Sequence, residues 1–105
     1  MSKPLPPGST IGILGSGQLG RMLAMAAARL GLKTHIYCET SGPAFDVATH
    51  ATKAPFNDAE ALVRFASQVD VVTYEFENVA SETARLLQPH VALRPNPRAL
   101  EVAQD

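Results

Sequence analysis

Cysteine occurs once in these 105 residues, tryptophan is absent, and neither acidic nor basic residues dominate, the formal net charge being −1. A lone Cys38 excludes an intrachain disulfide and a cysteine-rich zinc site, and it fits a reducing compartment. The balanced charge leaves no electrostatic footprint for nucleic acid or an anionic membrane. No apolar run is long enough to span a bilayer, and the opening Lys3-Pro4-Leu5-Pro6-Pro7-Gly8 lacks the hydrophobic core of a secretory signal, so a cytoplasmic protein is expected. The three histidines, His35, His50 and His90, show neither metal-ligand spacing nor a triad, and each reads as structural or surface. There is no internal repeat and no low-complexity segment. No nucleophile–base pair is visible, so the chain by itself does not suggest chemistry.

What is present is one domain, 46% hydrophobic, large enough to bury roughly two-thirds of its unfolded surface. Residues 1–9 carry three of the eight prolines and read as an extended, partly mobile lead-in. Thr10–Leu14 is a short apolar strand of the kind covered on both faces in a parallel sheet. A helix follows with Leu19, Met22, Leu23, Ala26 and Leu30 at helical spacing, and Gly31 stops it. Lys33–Cys38 is the next strand, which closes a right-handed βαβ unit. A helical turn in Pro43–Ala51 and a short strand near Thr49–Ala54 come next. Asn57-Asp58 caps a second helix whose face is Leu62, Phe65, Ala66 and Val69, ended by Asp70. Val71–Tyr74 is a strand of β-branched and aromatic residues. Ser81 caps a third helix ending near Gln88-Pro89, Val91–Arg94 is a fifth strand, and Asn96-Pro97 opens a helix that has met no stop signal by Asp105. That last feature reads as a boundary inside a longer protein. The expected fold is α/β, a Rossmann-like doubly wound parallel sheet of about five strands with flanking helices.

The stretch Gly15-x-Gly17-x-x-Gly20, between a strand and a helix, is the centre of the functional reading. Gly15 permits a tight turn, Gly17 lets backbone approach an anion, and Gly20 lets the helix lie against the strand. Amide groups at a helix start together with the dipole suit a phosphate, the dipole alone contributing about 0.3–1 kcal/mol. Arg21, just inside the helix, is within reach of such a phosphate, although position alone favours a solvated or salt-bridged arginine. Glu39, nineteen residues after Gly20 at the next strand's end, completes the sequence description of a dinucleotide site. Glu75 and Glu77 leave the later strand on one side of extended chain, where ionised carboxylates would accept from ribose hydroxyls. Asn78 is suited to shaping the turn after them. On the residues alone a mononucleotide and a dinucleotide both remain open, as does a domain that serves only packing or dimerisation.

The strings Gly15-Ser16-Gly17-Gln18-Leu19-Gly20-Arg21-Met22-Leu23-Ala24 and Val69-Asp70-Val71-Val72-Thr73-Tyr74-Glu75-Phe76-Glu77-Asn78-Val79 carry a more specific signal. With Pro43-Ala44, Phe56-Asn57-Asp58 and Pro95-x-Pro97-x-Ala99-Leu100 they resemble the amino-terminal preATP-grasp domain of the 5-(carboxyamino)imidazole ribonucleotide synthases. The resemblance runs from Thr10 to Asp105 and makes residues 10–105 that domain. It implies that Gly15, Ser16, Gly17, Gln18, Leu19 and Gly20 hold the 5′-phosphate of aminoimidazole ribonucleotide and that Glu75 accepts from its ribose hydroxyls. Glu77 and Asn78 would support that loop. It further implies an ATP- and bicarbonate-dependent carboxylation in purine biosynthesis, an ATP-dependent ligase as the parent, and ATP and Mg2+ held by domains absent from this chain. The fragment alone would be inactive and the parent a homodimer. The formate-dependent glycinamide ribonucleotide transformylases share the domain design but place an acidic residue where Gln18 stands. An NAD-binding module reading its cofactor through Glu39 is the alternative from another class.

Overall fold

A computed structural model describes residues 6–74 and 81–92. In chain order the elements are β1 (Thr10–Leu14), α1 (Gln18–Arg29), β2 (Lys33–Cys38), a 3-10 turn (Pro43–Asp46), β3 (His50–Lys53), α2 (Ala59–Ala66), β4 (Val71–Tyr74) and α3 (Ser81–Leu87). The four strands form one parallel sheet in the order β3-β2-β1-β4. Among the described residues this is one strand fewer than the sequence predicts. The missing one, Val91–Arg94, lies half outside the described residues, yet the Val72 N–H donates to the Ala92 carbonyl at 2.9 Å. The helix opening at Pro97 and residues 1–5 also lie outside them. No helix among the described residues is long and apolar enough to cross a membrane.

Strand alternation sends Ile11, Ile13, Ile36 and Val71 to one face, where they pack with Leu23, Ala24, Ala27, Leu32 and Ala44. Leu14, Tyr37 and Val72 go to the other, against Ala61, Leu62, Phe65, Ala66 and Leu87. The first helix turns a different face to the sheet from the one its hydrophobicity predicts. Its buried residues are Gly20, Leu23, Ala24 and Ala27, while Leu19 and Met22 are exposed. The cause is proximity: a Cβ on Gly20 would sit 3.2 Å from the Gly15 carbonyl oxygen and 3.3 Å from the Ala44 Cβ. At that distance the helix meets the sheet through Gly20, Ala24 and Ala27, with Leu23 packed beside them.

The second helix starts where expected, the Asp58 carboxylate accepting from the Ala61 N–H at 3.0 Å. It ends earlier, at Ala66, and Val69 packs on the core from beyond the helix end. Phe65 fits because Gly12, in the middle of β1, has no side chain; a Cβ there would lie 2.6 Å from the Phe65 Cζ. Asp70 joins the two ends of this unit, its carboxylate accepting from the Thr10 N–H and its own N–H donating to the Thr10 carbonyl, both at 2.8 Å. The end of the lead-in is tied down too, since the Gly8 N–H donates to the Gly31 carbonyl at 2.9 Å.

Candidate functional site

The glycine loop leaves β1 at the sheet's carboxyl edge, where ligands of open parallel sheets lie. Gly15 has φ +122°, a backbone state that side chains disfavour, and its N–H donates to the Tyr37 carbonyl at 2.9 Å. Gly17 is the N-cap of α1 and, being glycine, supplies no side-chain cap; the first turn carries no acidic residue. The positive end of α1 is therefore not neutralised by its own helix, which suits an incoming anion. Gln18, Leu19 and Arg21 are exposed around that end.

Ser16 behaves differently from its neighbours. It is buried, its hydroxyl donates to the Thr40 carbonyl at 2.9 Å, and its own carbonyl accepts from the Ala44 N–H at the same distance. Its side chain is a tether to the segment after β2, a role with no local signature in sequence because the partner is reached only once the loop has folded. Glu39 is also engaged: its carboxylate accepts from the Phe56 N–H at 3.1 Å, in the loop before α2.

β4 brings the chain to the same edge. Tyr74 pairs with Leu14, so β4 ends level with the glycine loop. Glu75, Glu77 and Asn78, which the sequence nominates next, lie outside the described residues. One residue before Tyr74, the fully buried Thr73 hydroxyl finds no hydrogen-bond partner among the described residues.

The histidines follow the structural reading where they are buried. His35 Nε2 and the Thr52 hydroxyl share a 2.7 Å hydrogen bond, the ring lies edge-on to Phe65, and Nδ1 has no hydrogen-bond partner among the described residues. Burial first, and the facing His50 second, hold His35 below the ordinary histidine value. Cys38 is buried and unpaired. Burial, aided by Asp58 and Glu39, raises Tyr37 to about 12, and its hydroxyl donates to the Pro55 carbonyl at 2.6 Å.

With this geometry in place, comparison with known proteins is decisive. The preATP-grasp domain of ribonucleotide synthetases matches residues 8–104. This chain belongs to that family. An N5-carboxyaminoimidazole ribonucleotide synthase of Brucella melitensis is 52% identical over 102 residues, which cover 96% of this chain and 28% of the relative. A solved N5-carboxyaminoimidazole ribonucleotide synthetase in complex with ADP superposes with a TM-score of 0.81 at 41% identity, covering 89% of this chain and 25% of the other. An Aspergillus clavatus N5-carboxyaminoimidazole synthase in complex with ADP and aminoimidazole ribonucleotide gives 0.72 at 31% identity, covering 90% and 26%. The chain thus spans about a quarter of the length of these relatives. The likeness supports the α/β preATP-grasp fold read from the sequence, and the relatives are carboxyaminoimidazole ribonucleotide synthases as the resemblance implies.

Proposed function

We propose that this chain is the substrate-nucleotide-binding domain of an N5-carboxyaminoimidazole ribonucleotide synthase, which carboxylates aminoimidazole ribonucleotide with ATP and bicarbonate in purine biosynthesis. In this reading the backbone of Gly15–Gly20 receives the 5′-phosphate at the start of α1, with Gln18 and Leu19 at the turn. Glu75 accepts from the ribose hydroxyls, and Glu77 and Asn78 support that loop. The carrying observation is a start of α1 with no side-chain cap and no acidic residue in its first turn, behind a positive-φ glycine, in a chain whose relatives include a synthase solved with aminoimidazole ribonucleotide.

A mononucleotide needs one phosphate cradle and one ribose acceptor; β1 and β4 end level, Leu14 pairing with Tyr74, and in sequence the glycine loop follows the one and Glu75 the other. The dinucleotide alternative requires Glu39, whose carboxylate is turned to Phe56. No group of three or more His, Cys, Asp or Glu side chains among the described residues could hold a metal. In this reading ATP and Mg2+ are held by other parts of a cytoplasmic, homodimeric parent. The contribution of this domain is binding and orientation, which shortens the search of the amino group for its carboxyl donor.

The test is Glu75→Gln. Replacing the ionised acceptor with an amide should weaken aminoimidazole ribonucleotide binding by roughly tenfold or more, while inorganic phosphate binding at the glycine loop stays the same. Equal weakening of both, or of neither, contradicts the assignment of Glu75 to the ribose.

A further inference from the structure

In dinucleotide sites built on this glycine pattern, the pyrophosphate crosses the helix start. The second ribose then lies against an acidic residue at the end of the neighbouring strand. Here that strand is β2 and that acid is Glu39. The intervening route is crossed by the protein itself, because the chain after Glu39 folds back onto the glycine loop. Thr40 accepts from the Ser16 hydroxyl, the Ala44 N–H donates to the Ser16 carbonyl, and Ala44 is fully buried beside Gly20.

Gly42 is the residue that lets this strap seat. Its backbone is extended, with φ −159° and ψ −174°, so conformation does not call for glycine. Space does. A Cβ at position 42 would lie 2.7 Å from the Ser16 Oγ and closer still to the Ser16 carbonyl oxygen, a backbone atom that cannot swing aside. Any side chain at this position lifts the strap from the loop.

We propose that the strap 40–44, seated on Ser16 through Gly42, is the specificity element that restricts this site to mononucleotides. It fills the path from the glycine loop to Glu39 that a dinucleotide's second ribose takes, and Glu39 itself is diverted to the Phe56 N–H. The inference rests on the reading of Gly15–Gly20 as a phosphate cradle.

The experiment is an amide-shift NMR titration of the 105-residue chain and of its Gly42→Ala and Ser16→Ala variants, with NAD and separately with aminoimidazole ribonucleotide. In the unsubstituted chain NAD should bind roughly 100-fold more weakly than the ribonucleotide. Gly42→Ala should raise NAD affinity by roughly tenfold, with shifts spreading from Gly15–Gly20 to Glu39, and Ser16→Ala, which adds no atoms, by roughly threefold. If folded Gly42→Ala gains nothing, or if it does not fold and Ser16→Ala gains nothing, the strap is not the barrier. NAD binding to the unsubstituted chain as tightly as the ribonucleotide overturns it as well. The ribonucleotide arm judges the cradle's mononucleotide reading separately: silence there with a gain of NAD in Gly42→Ala supports the strap while sinking that reading.

Discussion

The two faces of the sheet are packed differently. Toward α1 the helix brings Gly20, Ala24 and Ala27 beside Leu23, with Ala44 next to Gly20, and it is drawn in until backbone nearly meets backbone. Toward α2 the contact is made by Tyr37, Phe65, Leu62 and Leu87, with Tyr37 and Phe65 ring centroids 5.2 Å apart. Close approach fixes where the glycine loop and the start of α1 lie, so the first face sets the site. Both faces bury large apolar side chains, Ile11, Ile13, Leu23 and Ile36 on the first and Leu14, Leu62 and Leu87 on the second, and the second adds the two buried rings of Tyr37 and Phe65. The first face fixes position through its close spacing, and the second concentrates its burial in two rings.

The largest break in that contrast comes from Phe65→Ala. It should lower unfolding free energy by about 3–5 kcal/mol in a denaturant titration, leaving ribonucleotide affinity per folded molecule unchanged. Gly20→Ala should behave in the opposite way. Overpacking against the Gly15 carbonyl costs about 1–3 kcal/mol, and better helix propensity returns about 1. The shift falls on the loop itself, so phosphate affinity measured by NMR should drop roughly tenfold, while the net stability loss, about 0–2 kcal/mol, stays below that of Phe65→Ala.

A pH titration of stability gives a smaller effect. Because the folded state holds His35 below its ordinary value near 6.5, the unfolded chain binds more protons below that pH. The contribution of His35 is present above that pH and is lost as the pH falls below it, at no more than about 1.4 kcal/mol per pH unit. His35→Gln should flatten this slope. At the other end Tyr37, raised to about 12, favours its neutral form in the fold, so stability declines as the pH rises above 10 and Tyr37→Phe removes that decline. The smallest change expected is Thr73→Val, which replaces a buried hydroxyl lacking a hydrogen-bond partner among the described residues with a methyl and should leave unfolding free energy unchanged or slightly higher.

The same contrast explains what could be read from the sequence. Local pattern exposes the four described strands, the Asp58 cap and the glycine loop, because those depend on neighbours in the chain. The face of α1 misleads, because hydrophobicity favours Leu19 and Met22 whereas close packing selects Gly20, Ala24 and Ala27. Gly12 and Gly42 carry no local signature at all, since each is required by a distant partner, Phe65 for one and Ser16 for the other. Ser16 was legible as a member of the loop and illegible as a tether. Glu75, Glu77 and Asn78 fall outside the described residues, so their part of the site stands on sequence and resemblance.

The most direct test of the central claim, that the α1 face builds a cradle for the phosphate of a mononucleotide, is an amide-shift titration of this chain with aminoimidazole ribonucleotide. A fragment holding part of a site can bind in the millimolar range, about −4 kcal/mol, which NMR detects. The account predicts saturable shifts concentrated at Gly15–Gly20 and Glu75, with the α2 face silent. Shifts confined elsewhere, or none at saturating ligand, would contradict it.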